Sequence, residues 1–232
     1  MRILITGANR GLGLSLTELF VQKGHFVLAG VRSLKNMGKL SEIQQTYAEH
    51  IETVEMDVND DESVARASER ISKRYSSIDG IINNAAILLS KHKRIDELDV
   101  SEIKLTMETN VYGPYRVIKS FLPLLYHGQG QCIINISSES GSISTCGTQY
   151  CSYSMSKSAL NLMNQMFSNL LEEKGIRVLA VHPGRMNTDM GAETAQIEPI
   201  EAAQGIYDIV TGKIGVQAKI KFIDYHGNPM PL

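Results

Sequence analysis

A tyrosine and a lysine near the middle of the chain have the types and the spacing of an acid–base pair. Tyr153 and Lys157 stand four residues apart in YSMSK, which places the phenol and the ammonium group on one face of a helix, one turn apart. A phenol has an unperturbed pKa near 10, and a neighbouring cation lowers it by favouring the phenolate. Lowering that pKa to about 7 takes roughly 4 kcal/mol of differential interaction. The pair is therefore predicted to be a general acid or base that works near neutral pH.

The sequence around Tyr153 distinguishes this pair from a chance repeat of the same spacing. Tyr115 and Lys119, in YRVIK, are also four residues apart. Only the first pair is preceded by CIINISSESGS, an apolar run typical of a buried strand that ends in a serine-rich turn. That turn places the hydroxyl of Ser138 at the carboxyl end of a strand. We predict that the Tyr153 pair is catalytic and that the Tyr115 pair lies on a packing helix.

A glycine-rich turn follows the first apolar run of the chain. MRILITGANRGLG has glycines at positions 7, 11 and 13, and the apolar-periodic stretch LSLTELFVQKG comes next. Strand, turn and helix in this order bring free backbone amides and the positive end of the helix dipole to one place, which favours a phosphate. The spacing is G-x-x-x-G-x-G rather than the common G-x-G-x-x-G. Such a turn can be purely structural, but its position at the start of an alternating β/α chain favours nucleotide binding.

These two motifs, with three others, resemble the short-chain dehydrogenase/reductases over essentially the whole chain. TGANRGLG is similar to that family's cofactor turn, NNAA at 83–86 to its motif after the fourth strand, and ETNVYG to the segment that carries its catalytic asparagine. HPGRMNTDM, from His182, is similar to the Pro-Gly segment after the sixth strand. GSISTCGTQYCSYSMSKSALN and the tail FIDYHGNPMPL resemble a subgroup, the C-factor/Sniffer-type carbonyl reductases.

The resemblance implies which residues act in catalysis and which hold a nicotinamide cofactor. Asn110, Ser138, Tyr153 and Lys157 match the catalytic tetrad. The residues expected to contact the cofactor are Gly7, Asn9, Arg10, Gly11, Leu12, Gly13, Arg32, Asp57, Val58, Asn84, Ala85, Ala86, Tyr153, Lys157, Pro183, Gly184, Met186 and Thr188. Among these, Asp57 resembles the aspartate that bonds the adenine amino group, and Met186 and Thr188 resemble positions that orient the carboxamide.

The mechanism that the resemblance implies is carbonyl reduction. Tyr153 is expected to donate a proton to the carbonyl oxygen as hydride leaves the nicotinamide, and Ser138 to hydrogen-bond the same oxygen. Lys157 would lower the tyrosine pKa and bind the nicotinamide ribose. Asn110 would hold a water that relays protons to the lysine.

The end of the second predicted strand indicates the form of the cofactor. Val31 stands where NAD-dependent relatives carry an aspartate, and Arg32 follows it. An arginine can hold a 2′-phosphate through paired, charge-assisted hydrogen bonds, and Arg10 in the glycine turn would add a second cation. Both arginines could instead be ordinary surface residues. We predict NADP(H).

The interval between the catalytic serine and Tyr153 is longer than is usual in the family. We expect the extra residues to form a pocket loop within SGSISTCGTQYCS. The length leaves a choice between Ser137 and Ser138, and the second serine of ISS is the usual family position. Tyr150 is expected at the mouth of the pocket.

Composition sets limits on the class of protein. The chain has 232 residues, 43% hydrophobic and 21% charged, which predicts one domain spanning 1–232 with a large core. A net charge of −2 gives no basic field for nucleic acid. We expect no signal peptide, no membrane span and no metal, since the cysteines at 132, 146 and 151 lack ligand spacing. These features predict a cytoplasmic protein.

Apolar runs alternate with amphipathic stretches along the chain. Strands are predicted at 2–6, 25–31, 51–56, 78–83, 131–137, 176–182 and 219–223. Helices are predicted at 12–23, 34–49, 61–75, 100–126, 152–174 and 199–212. This alternation predicts an α/β protein, a single Rossmann fold with a doubly wound, seven-stranded parallel sheet and helices on both faces. The site residues then fall at the carboxyl ends of the strands, where ligands bind in such sheets.

The sequence says less about the substrate, the assembly and alternative roles. A small-molecule ketone, aldehyde or quinone is expected, in a pocket lined by Leu88, Leu89, Tyr150 and Met190 and closed by the segment 186–198. The alternatives are a C-factor-like signalling or nucleotide-sensing protein, and an NAD-dependent alcohol dehydrogenase. A homodimer or homotetramer is expected, because family members commonly pair through their fourth and fifth helices, which are roughly 100–126 and 152–174 in this sequence. Side chains that could provide that surface are Val111, Val117, Met163, Met166 and Phe167.

Overall fold

A seven-stranded parallel sheet runs through the middle of the molecule. The computed structural model describes residues 1–191 and 195–232. The strands are β1 (Arg2–Thr6), β2 (Phe26–Val31), β3 (Ile51–Glu55), β4 (Gly80–Asn83), β5 (Cys132–Ile136), β6 (Arg177–His182) and β7 (Phe222–Asp224). Their order across the sheet is β3-β2-β1-β4-β5-β6-β7, and every neighbouring pair is parallel.

Within the described residues, seven α-helices connect the strands and cover both faces of the sheet. They are α1 (Gly11–Gln22), α2 (Leu40–Thr46), α3 (Asp61–Ser72), α4 (Val100–Met107), α5 (Gly113–Leu125), α6 (Cys151–Leu171) and α7 (Pro199–Val210). Strand side chains alternate between two cores. Ile3 and Ile5 pack with α1, α2 and α7, whereas Leu4 between them packs with α3, α5 and α6. The predicted fold class, a doubly wound Rossmann fold, is confirmed.

The order of the strands fixes where a ligand can bind. The chain moves outward from β1 through β2 to β3, and then returns to the other side of β1 at β4. The connections after β1 and β4 therefore diverge and leave a crevice beyond the carboxyl ends of those two strands. The glycine turn follows β1, and the NNAA motif follows β4.

The predicted helix 34–49 is wrong at its amino-terminal end. The α-helix spans only Leu40–Thr46, followed by a short 3₁₀ turn at Ala48–His50. Gly38 has φ +54°, a left-handed conformation that interrupts a right-handed helix. The apolar residues at 34 and 37 therefore belong to a loop.

The predicted helix 100–126 is divided by one π-helical turn at Glu108–Tyr112. The backbone N–H of Gly113 donates to the carbonyl of Glu108, five residues earlier. Pro114 lacks an N–H and so cannot continue the usual i→i−4 ladder of hydrogen bonds. Gly113 packs against Val58, because a Cβ on Gly113 would lie 3.0 Å from Val58 Cγ2. Single π turns of this kind are frequent at functional sites, and this one carries Asn110.

Candidate active site

The glycine turn adopts a conformation that side chains would not allow. Gly7 has φ +66° and Gly11 has φ +52°. A Cβ on Gly13 would overlap the carbonyl oxygen of Gly7 and the side chain of Asn84. The first turn of α1 therefore packs directly on the end of β1. The start of α1 has no side-chain cap, so its backbone amides stay the predicted site for a phosphate.

Asn84 stabilises this turn from the neighbouring strand. Its Nδ2 donates to the carbonyls of Thr6 (3.0 Å) and Gly7 (3.2 Å). The Thr6 hydroxyl accepts in return from the backbone N–H groups of Asn84 and Ala85, both at 3.0 Å. The Asn84 side chain thus faces the turn, and Ala85 and Ala86 continue along the edge of the crevice as half-buried residues.

The other predicted contacts of the glycine turn differ in what they offer a ligand. Arg10 is exposed, with its guanidinium 3.6 Å from the Asp189 carboxylate. The Asn9 amide donates to the carbonyl of Asn36 at 3.0 Å. Leu12 is buried in the core, so only its backbone can reach the crevice.

The ends of β2 and β3 lie at the same edge of the sheet. Val31 is buried and Arg32, the next residue, is exposed. Asp57 is half-buried and its Oδ1 accepts from the N–H of Asn59 at 3.0 Å. Val58 is buried against the π turn. A cation after β2 and a carboxylate after β3 are thus available on the adenosine side of the crevice.

The segment after β6 folds back toward the glycine turn. Pro183 is buried. Gly184 has φ +80°, and a Cβ there would lie 2.7 Å from Ile197 Cδ1 and 3.1 Å from Tyr225 Cε1. Met186 forms an isolated bridge with Ile197. The Thr188 methyl lies 3.6 Å from the point where a Cβ on Gly11 would be. Of the expected pocket segment 186–198, residues 192–194 lie outside the described part of the chain.

Ser138 and Tyr153 meet at the carboxyl end of β5. Their side chains are neighbours in the site. The phenol lies inside the site although part of the Tyr153 side chain is exposed, and burial raises its pKa to about 12, against a smaller lowering by Ser138. The neighbouring Ser137 is buried and donates to Asn161 Oδ1 at 2.6 Å. Ser137 is thus engaged with α6, and Ser138 is the serine that acts on the Tyr153 phenol.

Lys157 is buried beneath Tyr153. It is 2% exposed, and its Nζ donates to the carbonyl of Ile136 at 2.7 Å and lies 5.3 Å from the centre of the Tyr153 ring. Loss of hydration lowers its pKa to about 7. The expected lowering of the Tyr153 pKa by Lys157 is therefore not found. Burial disfavours the charged form of both groups, and the ammonium faces a backbone carbonyl.

Asn110 joins two segments of the site through its side chain. Its Oδ1 accepts from the N–H of Ile87, and its Nδ2 donates to the carbonyl of Ile87, both at 2.9 Å. Nδ2 also donates to the Ser156 hydroxyl at 3.0 Å, which in turn donates to the carbonyl of Tyr153 at 2.7 Å. The π turn, the segment after β4 and the start of α6 are thus held together.

The second tyrosine–lysine pair is remote from this arrangement. Tyr115 and Lys119 are exposed on α5, and the Tyr115 ring lies 6.0 Å from that of Phe167 on α6. With Asp61 and Arg116 they border a surface groove between α3 and α5. The helical position predicted for this pair is confirmed.

Several residues of the site were not singled out in the sequence. Thr6 and Ser156 bond backbone groups beside the crevice, and Glu139 and Arg185 form an ion pair of 2.6 Å next to Ser138. Spacing gave no signal for them, because Thr6, Glu139 and Arg185 contact residues far away in the chain, and Ser156 bonds the distant Asn110 as well as Tyr153. Tyr150, expected at the pocket mouth, has φ +58°, which is strained for a tyrosine, and its N–H donates to the carbonyl of Lys91.

Residues 1–191 and 195–232 contain neither a cluster of metal ligands nor a helix that could span a membrane. Within these residues no three His, Cys, Asp or Glu side chains come together as a metal site. None of the helices formed by these residues has both the length and the apolar character needed to cross a bilayer. Cys132, Cys146 and Cys151 are free thiols.

The crevice has the chemistry that a dinucleotide needs. The left-handed glycine turn offers backbone amides to phosphate, and Arg32 and Asp57 stand beyond it at the ends of β2 and β3. In the other direction, Ser138, Tyr153 and Lys157 flank the place where a reactive ring would lie beyond β4 and β5. The residues present therefore fit a nicotinamide dinucleotide.

Comparison with known proteins points the same way. The family model described as short chain dehydrogenase matches residues 1–199. An uncharacterized oxidoreductase of Schizosaccharomyces pombe is 33% identical over 191 residues, which are 82% of this chain and 75% of the relative.

Two solved structures are similar over the full length of this chain. The carbonyl reductase Sniffer of D. melanogaster is 28% identical with a TM-score of 0.91, and the match covers 100% of this chain and 99% of Sniffer. The NADPH-bound carbonyl reductase from chicken fatty liver is 27% identical with a TM-score of 0.89, covering 100% and 98% of the two chains.

Proposed function

The chain belongs to the short-chain dehydrogenase/reductase family, and from that premise we propose that it is an NADP(H)-dependent carbonyl reductase with Tyr153 as the general acid. The observation that carries the proposal is the contact of Ser138 with Tyr153 above the buried Lys157, at the crevice that fits a dinucleotide. The proposed active enzyme is one domain spanning 1–232. Its three free cysteines suit a reducing compartment, and we place it in the cytoplasm.

The choice of NADP(H) rests on the charge beyond β2. An aspartate there would repel a 2′-phosphate, whereas this chain has Val31 followed by the exposed Arg32. Arg10, also exposed, lies in the adjacent turn. The chicken carbonyl reductase, a similar structure, was solved with NADPH bound. When bound, the cofactor supplies the hydride.

The chain's own residues hold the carbonyl and supply the proton. Ser138 donates a hydrogen bond to the carbonyl oxygen of the substrate and fixes its orientation. Tyr153 donates its phenolic proton to that oxygen as the carbonyl carbon is reduced. A pKa raised to about 12 keeps the phenol protonated at neutral pH, which is the form that a general acid needs. The protonated phenol can therefore donate a proton to a carbonyl oxygen, which is the step that reduction needs.

Lys157 and Asn110 support the tyrosine from behind. Lys157, with its pKa lowered to about 7, can take up and release a proton near neutral pH and so restore the Tyr153 proton. It also lies where it can hold the ribose of the cofactor. The Asn110 side chain is taken up by Ile87 and Ser156, so a relay water would bind its main-chain carbonyl.

We also propose that the protein self-associates through α5 and α6. Val111 and Val117, expected at that surface, are instead buried in the core. Met166 is 64% exposed, and Leu162 and Leu170 lie one turn to either side of it with similar exposure. The surface offered to a second copy is therefore a stripe along α6.

NADPH consumption with a panel of quinones, aldehydes and ketones tests the function. We expect turnover by the parent and its loss in Tyr153→Phe, with NADPH binding retained because the ring remains. Tyr115→Phe is the matched control, since it removes the hydroxyl of the other tyrosine–lysine pair, and it should keep parental turnover. Equal turnover by Tyr153→Phe and the parent would exclude Tyr153 as the acid.

A further inference from the structure

Glu139, the residue after Ser138, is bound twice by the segment that follows β6. Its backbone N–H donates to Nδ1 of His182 at 3.1 Å. Its carboxylate accepts from Nε of Arg185 at 2.6 Å. His182 ends β6 and Arg185 lies three residues further on, so one short stretch of chain holds both the main chain and the side chain of Glu139.

The His182 imidazole must be neutral to make its contact. Nδ1 accepts a hydrogen bond, so the single ring proton of the neutral form lies on Nε2. Burial lowers the pKa of His182 from its ordinary 6.5, and Arg185 acts in the same direction, while Glu139 and Asp224 oppose it. Asp224 is the β7 residue beside His182 in the sheet, and its carboxylate accepts from the N–H groups of His226 and Asn228. Neutral His182 is therefore the form that burial favours.

One end of this connection lies at the reaction site, and the other lies at the phosphate turn. On one side, Ser138 begins the turn that contains Glu139. Its Oγ accepts from the N–H of Ser140 at 3.1 Å, and its side chain lies beside Tyr153. On the other side, the segment continues through Gly184 to Thr188, which lies over Gly11 of the phosphate turn. A displacement of Glu139 would therefore move the neighbouring Ser138 hydroxyl, which is proposed to orient the substrate carbonyl.

We propose that His182 is a positioning residue, whose neutral imidazole holds the Glu139 amide and thereby sets the hydroxyl of Ser138 against Tyr153. This inference rests on the proposed carbonyl reductase function. Protonation at Nδ1 replaces the acceptor with a second N–H, which faces the Glu139 N–H and breaks the contact. The rate at saturating substrate should then fall on the acid side, along the titration of His182.

Two substitutions separate the acceptor from the bulk of the ring. His182→Asn keeps an acceptor near the position of Nδ1 but does not titrate, whereas His182→Leu fills similar space without an acceptor. With NADPH and menadione as substrates, we expect kcat of His182→Leu to fall about 10- to 100-fold, as misplacement of a reacting group does. The Kd for NADPH, read from its fluorescence, should change by less than about threefold, since binding is not the affected step. His182→Asn should recover most of kcat.

The pH profile gives a readout that a merely structural role would not move. The parent should lose kcat below pH 6.5, and His182→Asn should lack this acid limb. Parental kcat in His182→Leu, or an unchanged acid limb in His182→Asn, would overturn the proposal. A general folding defect in His182→Leu would appear as lost NADPH binding, and His182→Asn then decides alone.

An NMR measurement keeps this proposal distinct from the proposed function. In ¹⁵N-labelled protein, the His182 ring should show the Nε2–H tautomer at pH 7, and the Glu139 amide shift should follow the His182 titration. If none of the carbonyl compounds causes the parent to oxidise NADPH, the proposed function fails, and the positioning role in catalysis fails with it. If turnover is present but the Glu139 amide ignores the His182 titration, only the positioning role fails.

Discussion

At the scale of single residues, the site is governed by the loss of water around Tyr153 and Lys157. The opposite-charge argument alone predicts a phenolate beside an ammonium. Both groups are instead pushed toward their neutral forms, to pKa values of about 12 and about 7. Lys157 donates a hydrogen bond to the carbonyl of Ile136, which satisfies the amine without adding a counter-charge. The site thus holds its proton on the phenol, ready for donation.

The buried Lys157 should make the free energy of unfolding depend on pH. Its pKa falls from 10.5 when unfolded to about 7 when folded. Between these values the unfolded state binds more protons, so the free energy of unfolding rises with pH, by at most about 1.4 kcal/mol per pH unit. We expect urea unfolding of the cofactor-free protein to show greater stability at pH 9 than at pH 7.

Lys157→Met supplies the comparison for that measurement. Methionine keeps the length and removes the titration, so the difference in stability between variant and parent should shrink as pH rises from 7 to 9. Contributions of the other ionisable groups cancel in this difference. A constant difference across that range would mean that Lys157 remains fully charged in the folded protein.

The cofactor preference also belongs to single residues. Arg32→Ala should weaken NADPH binding by roughly 10- to 100-fold, because a charge-assisted hydrogen bond to phosphate contributes about 1.5–3 kcal/mol. NADH binding should stay within about twofold of the parent, since NADH lacks the 2′-phosphate. Lys23→Ala, at the far end of α1, controls for the loss of one exposed positive charge. Equal weakening of both cofactors would show that Arg32 does not contact the 2′-phosphate.

At the scale of elements, the turn after β5 is fitted closely to α6. Gly141 ends a 3₁₀ turn that begins after Ser138, and its carbonyl accepts from the hydroxyl of Ser158 at 2.9 Å. A Cβ at Gly141 would lie 2.8 Å from the backbone carbon of Lys157 and 2.8 Å from Asn161 Nδ2. The turn that carries Ser138 can therefore approach the lysine only because residue 141 is glycine.

Gly141→Ala should separate the turn from the helix. We expect kcat to fall by about 10-fold or more, through misplacement of Ser138, and thermal stability to decrease. Gly147→Ala is the matched control, since nothing lies within 4 Å of its Cβ position, and it should behave as the parent. Parental kcat in Gly141→Ala would mean that the turn tolerates a shift without loss of geometry.

Elements with strong local signals could be predicted from the sequence, and those set by tertiary contacts could not. All seven strands and the glycine turn were predicted because apolar runs and glycines determine them locally. The π turn depends on Gly113 meeting Val58, more than fifty residues away. The short α2 depends on the backbone of Gly38, and the pKa of Tyr153 on burial that spacing does not reveal.

At the scale of the whole molecule, parallel topology assembles the site from distant segments. The residues proposed for the cofactor and the reaction lie after β1, β2, β3, β4, β5 and β6, and all of these connections leave the same edge of the sheet. Two connections that are adjacent in the chain would therefore not supply all the residues of the proposed site. Both faces of the sheet are covered by helices, so a partner would contact side chains of the helices or loops and not the sheet itself.

The exposed stripe on α6 gives the last prediction. Leu162, Met166 and Leu170 are 66%, 64% and 67% exposed and project from one face at helical spacing. A second copy placed on this stripe would remove the three side chains from water, each contributing up to about 1.5–3 kcal/mol.

Sedimentation velocity should show the parent as a dimer or larger at about 20 μM. Leu162→Glu should dissociate it because the charge would be buried without a partner. Ile200→Glu, on α7 across the sheet, replaces another exposed apolar residue and should leave the assembly intact. A monomeric parent, or equal dissociation by both variants, would show that α6 is not the interface.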